Sequence, residues 1–180
     1  MVYIILGEGF EEIEAVTPCD ILRRGEVPVK FASLGGEKCV FGSHGISFLT
    51  DISVSEIIIS ADDTLVIPGG MGGVNSIKAD TAAMKFISEA AKAGTRLSAI
   101  CAGPSVLAKL GLLDGKNITC FPGCEGLMTG ALCNTEKSVL LDGGLITGRA
   151  PGAAIEFGLT LLAALKGEET ANKIRTELVY

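Results

Sequence analysis

Short apolar runs alternate along the chain with longer segments in which apolar residues recur at helical spacing. The short runs predict β-strands over residues 2–6, 27–34, 64–67, 96–100 and 117–121. The longer segments predict helices over residues 11–24, 79–93, 104–110 and 152–165, with a short helix around 123–130. Two hairpins complete the pattern, one over residues 39–49 that turns near His44-Gly45 and one that turns on Asp142-Gly143-Gly144.

The predicted strands are continuous apolar runs rather than alternations of apolar and polar residues. This pattern is typical of a parallel sheet that is covered by helices on both faces. We therefore predict the α/β class, as a three-layer α/β/α sandwich with a mostly parallel sheet and a small hairpin. No repeat or linker divides the chain, so we expect residues 1–180 to form a single domain. Ligands of such folds bind beyond the carboxyl ends of the strands, where loops 7–14, 68–73 and 101–105 lie.

Composition and charge narrow the range of partners. Hydrophobic residues make up 48% of the 180 residues, and the mean hydropathy is +0.47. Because this is high for a small soluble protein, we expect part of the apolar surface to be covered in a homodimer. The net charge of -6 argues against nucleic acid as a partner, as does the lack of any basic cluster longer than Arg23-Arg24.

The expected compartment is the cytoplasm. The longest apolar stretch near the end of the chain, residues 157–165, is far shorter than the roughly 20 residues that cross a bilayer, so no membrane-spanning segment is expected. No charged segment leads into an apolar one as in a secretory signal. The six cysteines are therefore expected to be reduced thiols.

The stretch AICAGPS, residues 99–105, places Cys101 where a predicted strand turns into a helix. A sharp corner that presents a nucleophile needs small residues on either side, and Ala99 and Gly103 occupy those positions. A helix that begins near Pro104 directs its amides and its positive dipole end toward the thiol, which favours the thiolate. The alternative is that Cys101 is a small buried residue of the core.

Two further loops belong to the same predicted edge of the sheet. In IPGGMGG, residues 67–73, the backbone amide of Gly70 can join that of Ala102 in an oxyanion hole, although a simple tight turn is the alternative. A phosphate-binding loop is excluded because no Gly-Lys-Ser/Thr follows the glycines. In GEGFEEIEAV the acidic residues would repel a dinucleotide, so we predict no nucleotide cofactor.

The acidic residues of that first loop allow two interpretations. Acids in the first turn of a helix commonly interact with the helix dipole alone. A carboxyl group three residues beyond Glu11 can instead lie over the edge of the sheet beside the thiol. There it would keep its proton, because two anions in contact are costly, and it would act as a hydrogen-bond donor or as an acid and base.

Four ordered motifs, EEIEAV, IPGG, AICAGP and GRAPGAAIEFGL, resemble those of the ThiJ/PfpI superfamily, related to class I glutamine amidotransferases, and in particular its parkinsonism-linked protein deglycase (DJ-one) branch. The resemblance covers nearly the whole chain. It implies a flavodoxin-like fold, a homodimer, a reactive Cys101, a protonated Glu14 beside it, and oxyanion donors at Gly70 and Ala102. Members of the superfamily are described as cofactor-free glyoxalases, protein deglycases, redox sensors or chaperones, and one branch cleaves peptides.

Some members of this family carry a histidine just before the proline that follows the strand after the cysteine corner. In this chain Phe121 occupies that position, before Pro122. A Cys-His dyad is therefore not available at that position. The only histidine, His44, lies in the predicted hairpin, where a solvated turn residue is the simplest interpretation. The resemblance implies that the basic residue equivalent to His44 reaches the partner subunit's site, near the one that matches Arg24.

Other residues of the motifs and the remaining thiols are assigned more weakly. Gly69 and Pro151 are candidate contacts of the substrate or the partner subunit, and Arg149 is either such a contact or a cap of the adjacent helix. Cys120, Cys124 and Cys133 lack a local histidine or a Cys-x-x-Cys pair, so we predict no metal site. Cys19 and Cys39 are interpreted as packing residues.

The leading hypothesis for function is a cysteine-dependent glyoxalase or protein deglycase that acts on small α-oxoaldehydes such as methylglyoxal, or on their adducts, without a cofactor. The alternative is an oxidation-sensing stress protein or chaperone that uses the same cysteine. A PfpI-like intracellular peptidase or amidase is a third possibility, against which the missing histidine argues.

Overall fold

The computed structural model describes all 180 residues and contains eleven short strands. They are β1 (Val2–Leu6), β2 (Val29–Ser33), β3 (Cys39–Phe41), β4 (Ser47–Leu49), β5 (Ile52–Ser53), β6 (Thr64–Ile67), β7 (Arg96–Ile100), β8 (Asn117–Ile118), β9 (Leu132–Cys133), β10 (Val139–Asp142) and β11 (Leu145–Gly148). Six helices accompany them: α1 (Glu12–Arg24), α2 (Met71–Ala79), α3 (Thr81–Lys92), α4 (Pro104–Lys109), α5 (Ala154–Lys166) and α6 (Glu168–Glu177).

Seven of the strands form the central sheet, in the order β10-β11-β7-β6-β1-β2-β5. All neighbouring pairs are parallel except β10 with β11, which form an antiparallel hairpin at one edge. The chain moves from β1 to β2 in one direction and from β6 to β7 in the other. Because such crossovers are right-handed, α1 lies on one face of the sheet and α2 and α3 on the opposite face. The predicted mostly parallel three-layer α/β sandwich is confirmed.

Burial explains why the inner strands are continuous apolar runs. Every residue of β1, β6 and β11 is buried, because helices cover both faces of the sheet. The apolar core is one cluster of 46 buried residues, which includes Phe10 before α1 and Phe157 in α5. The carboxyl ends of β1, β6 and β7 therefore meet at one edge, where the three predicted loops lie side by side.

The helix expected over residues 79–93 is observed as α3, but a separate helix before it, α2, was not expected. The first, α2, begins directly after Gly70, whose φ of 80° suits glycine, and Gly72 and Gly73 pack closely against the first loop. The second, α3, begins after Asp80, whose carboxylate accepts a hydrogen bond from the amide of Ala83 at 2.9 Å. This cap separates the two helices.

Two other expectations also need correction. The strand expected over residues 117–121 has only Asn117 and Ile118 and pairs with β9 outside the main sheet, because the Thr119 amide donates to the Thr147 hydroxyl instead of to a neighbouring strand. The last helix, α6, was not expected at all. None of the helices combines the length and apolar character that a bilayer crossing requires.

Candidate active site

The corner at the end of β7 holds Cys101 in a left-handed backbone conformation. Its φ is 65°, which side chains other than glycine rarely adopt, and its amide donates to the carbonyl oxygen of Gly148 at 2.9 Å. A Cβ on Gly103 would lie 2.4 Å from the carbonyl oxygen of Ile67, so a larger residue there would collide with the end of β6. This geometry matches the sharp corner expected for a nucleophile.

Glu14, in the first turn of α1, places its carboxyl group against this thiol. The side chain is fully buried, its Oε2 accepts a hydrogen bond from the Gly69 amide at 2.7 Å, and the carboxyl group lies beside the thiol of Cys101. The second oxygen, Oε1, is buried without a hydrogen-bond partner. Because an unpaired buried oxygen is costly, the carboxyl group is held in a place that favours its neutral form.

Burial governs the protonation of both groups. Burial raises the pKa of Glu14 to about 7, although the hydrogen bonds from Cys101 and the Gly69 amide oppose the rise. Burial and then the charge of Glu14 raise the pKa of the Cys101 thiol, against the lowering effect of the Ala102 amide. This rise in the pKa of the thiol is opposite to the lowering expected from the dipole at the start of α4, a helix of only six residues. The pair therefore retains at least one proton at neutral pH.

The glycine loop after β6 closes the other side of the sulfur. A Cβ on Gly69 would lie 2.6 Å from Glu14 Oε2 and 3.0 Å from Cys101 Sγ, so no side chain fits there. The amide of Gly70 donates no hydrogen bond within the chain. The amide of Ala102 points to the sulfur of Cys101. Both amides are thus free of backbone partners, as oxyanion donors must be before substrate binds.

Phe121 lies beside the corner at the position where some ThiJ/PfpI members carry histidine. Its backbone amide donates to the carbonyl oxygen of Cys101 at 3.0 Å, and its side chain is largely exposed. Arg149 directly follows β11, next to the corner, and its guanidinium donates to the carbonyl oxygen of Thr135 at 3.3 Å. Pro151 begins a short 3-10 turn that leads into α5.

The two remaining basic residues predicted as site contacts, His44 and Arg24, lie away from the sulfur within this chain. His44 is in the β3–β4 hairpin with a side chain 68% exposed, and its Nδ1 lies 2.9 Å from Glu12 Oε2. Arg24 is ten residues beyond Glu14 on α1, about 15 Å along the helix axis, and pairs with Asp20 at 2.7 Å. Neither residue contributes to the site from its own subunit.

Three potential metal ligands do meet, but away from Cys101. Glu11, Glu12 and His44 each bring a ligand atom within 4.8 Å of the others. The carboxylate of Glu12 already accepts hydrogen bonds from the His44 amide at 2.7 Å and from the Ser43 hydroxyl at 3.2 Å. These contacts account for the cluster as the anchor of the hairpin on α1. The three thiols of Cys120, Cys124 and Cys133 form no such group of ligands.

One of the surface cavities lies far from this chemistry. It has a volume of about 460 Å³ and is lined at the amino ends of β6, β7 and β11 by residues that include Asp63, Arg96 and Asp142. Ligands of doubly wound sheets bind at the opposite, carboxyl edge, where Cys101 and Glu14 lie. We therefore place the candidate site at the sulfur rather than in this cavity.

Comparison with known proteins agrees with the motifs. The sequence profile described as the DJ-1/PfpI family matches residues 1–164. The chain belongs to the DJ-1/PfpI family. It is 34% identical over 177 residues to protein dj-1beta of Drosophila melanogaster, covering 98% of this chain and 95% of that protein.

Two other DJ-1/PfpI comparisons bear on structure and activity. A crystal structure of a cysteine-to-alanine variant of a DJ-1 superfamily protein from Salmonella typhimurium superimposes with a TM-score of 0.93 at 29% identity, covering 99% of this chain and 97% of that one. A Caenorhabditis elegans relative named glutathione-independent glyoxalase is 30% identical over 170 residues, covering 93% of this chain and 89% of that protein. The DJ-1/PfpI family thus includes a protein that is named as a glyoxalase.

A polar chain behind the DJ-1/PfpI corner was missed by sequence reasoning. Lys78 Nζ donates to the hydroxyl of Ser105 at 2.7 Å, and that hydroxyl donates to the carbonyl oxygen of Ala102 at 2.6 Å. Lys78 and Ser105 are 27 residues apart on two different helices, so no local pattern pairs them. The only signal was the serine at the start of α4, a residue type that commonly bonds to backbone near helix termini.

Proposed function

We propose that the protein is a cysteine-dependent glyoxalase that converts small α-oxoaldehydes such as methylglyoxal into 2-hydroxy acids. The observation that carries the proposal is the placement of the buried carboxyl group of Glu14 beside the sulfur of Cys101. A nucleophile and a proton carrier in contact are the two groups that this isomerisation requires. The name of the Caenorhabditis elegans relative supports the same chemistry.

The first step is addition of the sulfur to the aldehyde carbon. The thiol proton passes to the Glu14 carboxylate as the carbon-sulfur bond forms and the carbonyl bond opens to an alkoxide. The amides of Gly70 and Ala102 donate to this oxygen while it is charged. Glu14 then returns the proton to the alkoxide, which gives a hemithioacetal and restores the carboxylate.

The second step moves a proton between carbons. Glu14 removes the proton from the former aldehyde carbon and delivers it to the neighbouring ketone carbon, while the hydroxyl proton moves from the first oxygen to the second. The product is a thioester of a 2-hydroxy acid on Cys101. Water hydrolyses this thioester and releases the acid and the free thiol, so that one aldehyde and one water give one hydroxy acid. The same sequence on glycated thiols or amines would be deglycation.

The proposal is tested by measuring lactate formation from methylglyoxal. Cys101→Ser should abolish turnover, and Glu14→Gln should leave substrate binding intact but suppress lactate formation, because an amide cannot accept and return the proton. Cys39→Ser is the matched control, since Cys39 is a half-buried thiol on the hairpin and should leave turnover unchanged. Lactate formation that survives in the Cys101→Ser variant would remove the assignment.

Oxidation sensing at the same cysteine is the second candidate function. The unpartnered Glu14 Oε1 supports it, because a protonated carboxyl group could donate to an oxygen of a sulfinate on Cys101. Each sulfinate would consume two molecules of hydrogen peroxide and release two of water. Preferential gain of two oxygen atoms at Cys101, together with negligible glyoxal turnover, would favour this role. A peptidase lacks comparable support, because the only histidine pairs with Glu12 instead of Cys101.

We also propose that the protein acts as a cytoplasmic homodimer. Apolar side chains are exposed together on α1 and on the β3–β4 hairpin, which are joined by the contacts between Glu12 and His44. A second copy of the chain would cover such a surface. In that arrangement Arg24 and His44 are candidate contacts of the partner subunit's site.

A further inference from the structure

Two cysteines outside the proposed mechanism lie side by side near the corner. Cys133 ends β9, whose residues pair in parallel with β8 so that Cys133 lies opposite Ile118. The chain then continues for two residues beyond Ile118 to Cys120, and the amide of Asn134 donates to the Ile118 carbonyl oxygen at 2.8 Å. This pairing places the two thiols beside each other, close enough for each to affect the pKa of the other. We call Cys120 and Cys133 the cysteine pair.

The members of the cysteine pair differ in exposure and in how their interaction affects ionisation. Cys120 is fully buried, whereas Cys133 is half-buried and reaches solvent. Burial raises the pKa of both thiols; the interaction between them raises the pKa of Cys120 further and opposes the rise in the pKa of Cys133. The exposed sulfur is therefore the one that an oxidant meets first, and a second thiol already touches it.

Other uses of the cysteine pair are less well supported by its surroundings. A tetrahedral metal site needs more ligands, and no third cysteine, histidine or carboxylate brings a ligand atom within 4.8 Å of both sulfurs. Simple packing would not require two thiols in contact, since one sulfur and one methyl group would fill the same space.

We propose that Cys120 and Cys133 are a redox-active dithiol that hydrogen peroxide converts into an intrachain disulfide. The thiolate of Cys133 attacks one peroxide oxygen, which gives a sulfenic acid on Cys133 and releases hydroxide. The Cys120 sulfur then attacks the sulfenic sulfur, and the hydroxyl group leaves as water with the Cys120 proton. The protein loses two protons and two electrons, and the peroxide is reduced to two molecules of water.

The disulfide would close a loop that touches the corner. Residues between the two cysteines include Phe121, whose amide donates to the carbonyl oxygen of Cys101 at 3.0 Å, and Cys124, whose amide donates to Phe121. Closing this loop restricts the segment that lines one side of Cys101. The proposal does not depend on the glyoxalase reaction, because it uses neither Cys101 nor Glu14.

The test uses peroxide on the full chain in a Cys101→Ala, Cys124→Ser background, which removes the two other thiols near the pair. After peroxide treatment and alkylation of the remaining thiols, a protease that cleaves after glutamate cuts at Glu125 and separates Cys120 from Cys133. The expected result is a pair of fragments that stay joined until reductant is added, with the loss of two hydrogen atoms. The matched control carries Cys133→Ser in the same background and should give only separate fragments.

Three outcomes would overturn the proposal: two alkylated thiols after peroxide, stable gain of oxygen on Cys133 alone, or joined fragments in the Cys133→Ser control. The same digestion of the wild-type chain provides an independent measurement, should the multiple variant fail to fold. In the wild type, the joined fragments should contain Cys120 and Cys133, with Cys124 alkylated.

Discussion

At the scale of single residues, the site depends on a carboxyl group that the fold keeps away from water. Glu14 has no exposed surface and one unpaired oxygen, yet it belongs to the first turn of an ordinary helix. A glutamate placed there for helix stability alone would extend into solvent, where it could interact with the helix dipole. Its burial against Cys101 therefore costs stability, and this cost makes the pair testable without any substrate.

The first prediction concerns the pH dependence of stability. The pKa of Glu14 is about 7 in the folded protein against an ordinary 4.5, so between these values the folded protein keeps a proton that the unfolded chain has released. Raising the pH through this window therefore disfavours folding, by about 3 kcal/mol in total. Glu14→Gln should remove this loss. Urea unfolding of the wild type and of Glu14→Gln at about pH 4 and about pH 8 measures this change in the free energy of unfolding. An equal pH dependence of the two proteins would contradict the prediction.

The second prediction concerns Gly69. An added methyl group would lie 2.8 Å from Cys101 Cβ and 2.6 Å from Glu14 Oε2, so Gly69→Ala should push the carboxyl group and the sulfur apart. We expect kcat/KM for methylglyoxal to fall by roughly 100-fold, because misplacement of reacting groups by about 1 Å has this effect. Gly126→Ala is the control, since a Cβ there meets no atom within 4 Å. Activity of Gly69→Ala equal to that of the control would show that the contact is unimportant.

At the scale of elements, Glu12 connects the β3–β4 hairpin to α1. Its buried carboxylate accepts hydrogen bonds from the His44 amide and ring and from the Ser43 hydroxyl. Burial would raise the pKa of Glu12, but hydrogen bonds from the His44 ring and from backbone amides, including those of His44 and Ile46, lower it to about 2. The hairpin contains few buried residues of its own, so this single carboxylate is a main attachment point.

The third prediction tests this attachment. The pKa of Glu12 is lower in the folded protein than its ordinary 4.5, so its contribution is present above pH 4.5 and is lost as the pH falls toward 2. Glu12→Gln should lower the free energy of unfolding by about 3 kcal/mol at neutral pH and by less at about pH 3. Urea unfolding measures both values, and Glu136→Gln at an exposed position is the control. A loss of stability that does not change with pH would argue against the charge of Glu12 as its cause.

The elements predicted well from sequence were those whose pattern depends on local burial. Strand β1 and helix α5 lie where apolar runs and helical spacing place them. Helix α2 was missed because its glycines, which usually interrupt helices, are required there by close approach to the first loop. The shortening of β8 was also not predictable, since it depends on the hydroxyl of Thr147, 28 residues from Thr119.

At the scale of the whole molecule, α1 and the hairpin expose apolar side chains that are candidates for the proposed dimer interface. Ile13 is 52% exposed, Phe41 51% and Ile46 55%, and they belong to the two elements that Glu12 and His44 hold together. Hydrophobic side chains exposed together in this way are typical of interfaces. This surface is a feature of the folded chain that neither element has alone.

The fourth prediction concerns assembly. We expect wild-type protein to sediment as a dimer, and the double change Ile13→Asp with Val16→Asp to give a monomer, because two charges would be buried in the interface. Sedimentation velocity measures this. Ile58→Asp is the control, since Ile58 is 93% exposed on a different segment of the chain. A wild-type monomer, or a control that dissociates equally, would refute the proposed surface.

The location of the site was predictable, because it depends on the direction in which the parallel strands run. Cys101, Glu14 and the glycine loop follow strands whose carboxyl ends share one edge, so a sequence that shows the strands also brings these loops together. The protonation of the thiol was not predictable, because it depends on how completely Cys101 and Glu14 are buried. The contact of Lys78 with Ser105 was hidden for a similar reason, since it requires the packing of two helices.

The left-handed backbone at Cys101 has a practical consequence for engineering. Glycine adopts this conformation without strain, so the free energy of unfolding of Cys101→Gly should exceed that of Cys101→Ala by about 1 kcal/mol. The glycine variant should therefore also unfold at a higher temperature. Directed evolution that selects only for heat resistance would therefore favour losing the sulfur. Libraries built on this scaffold need a selection for chemistry in every round, or they will converge on inert proteins.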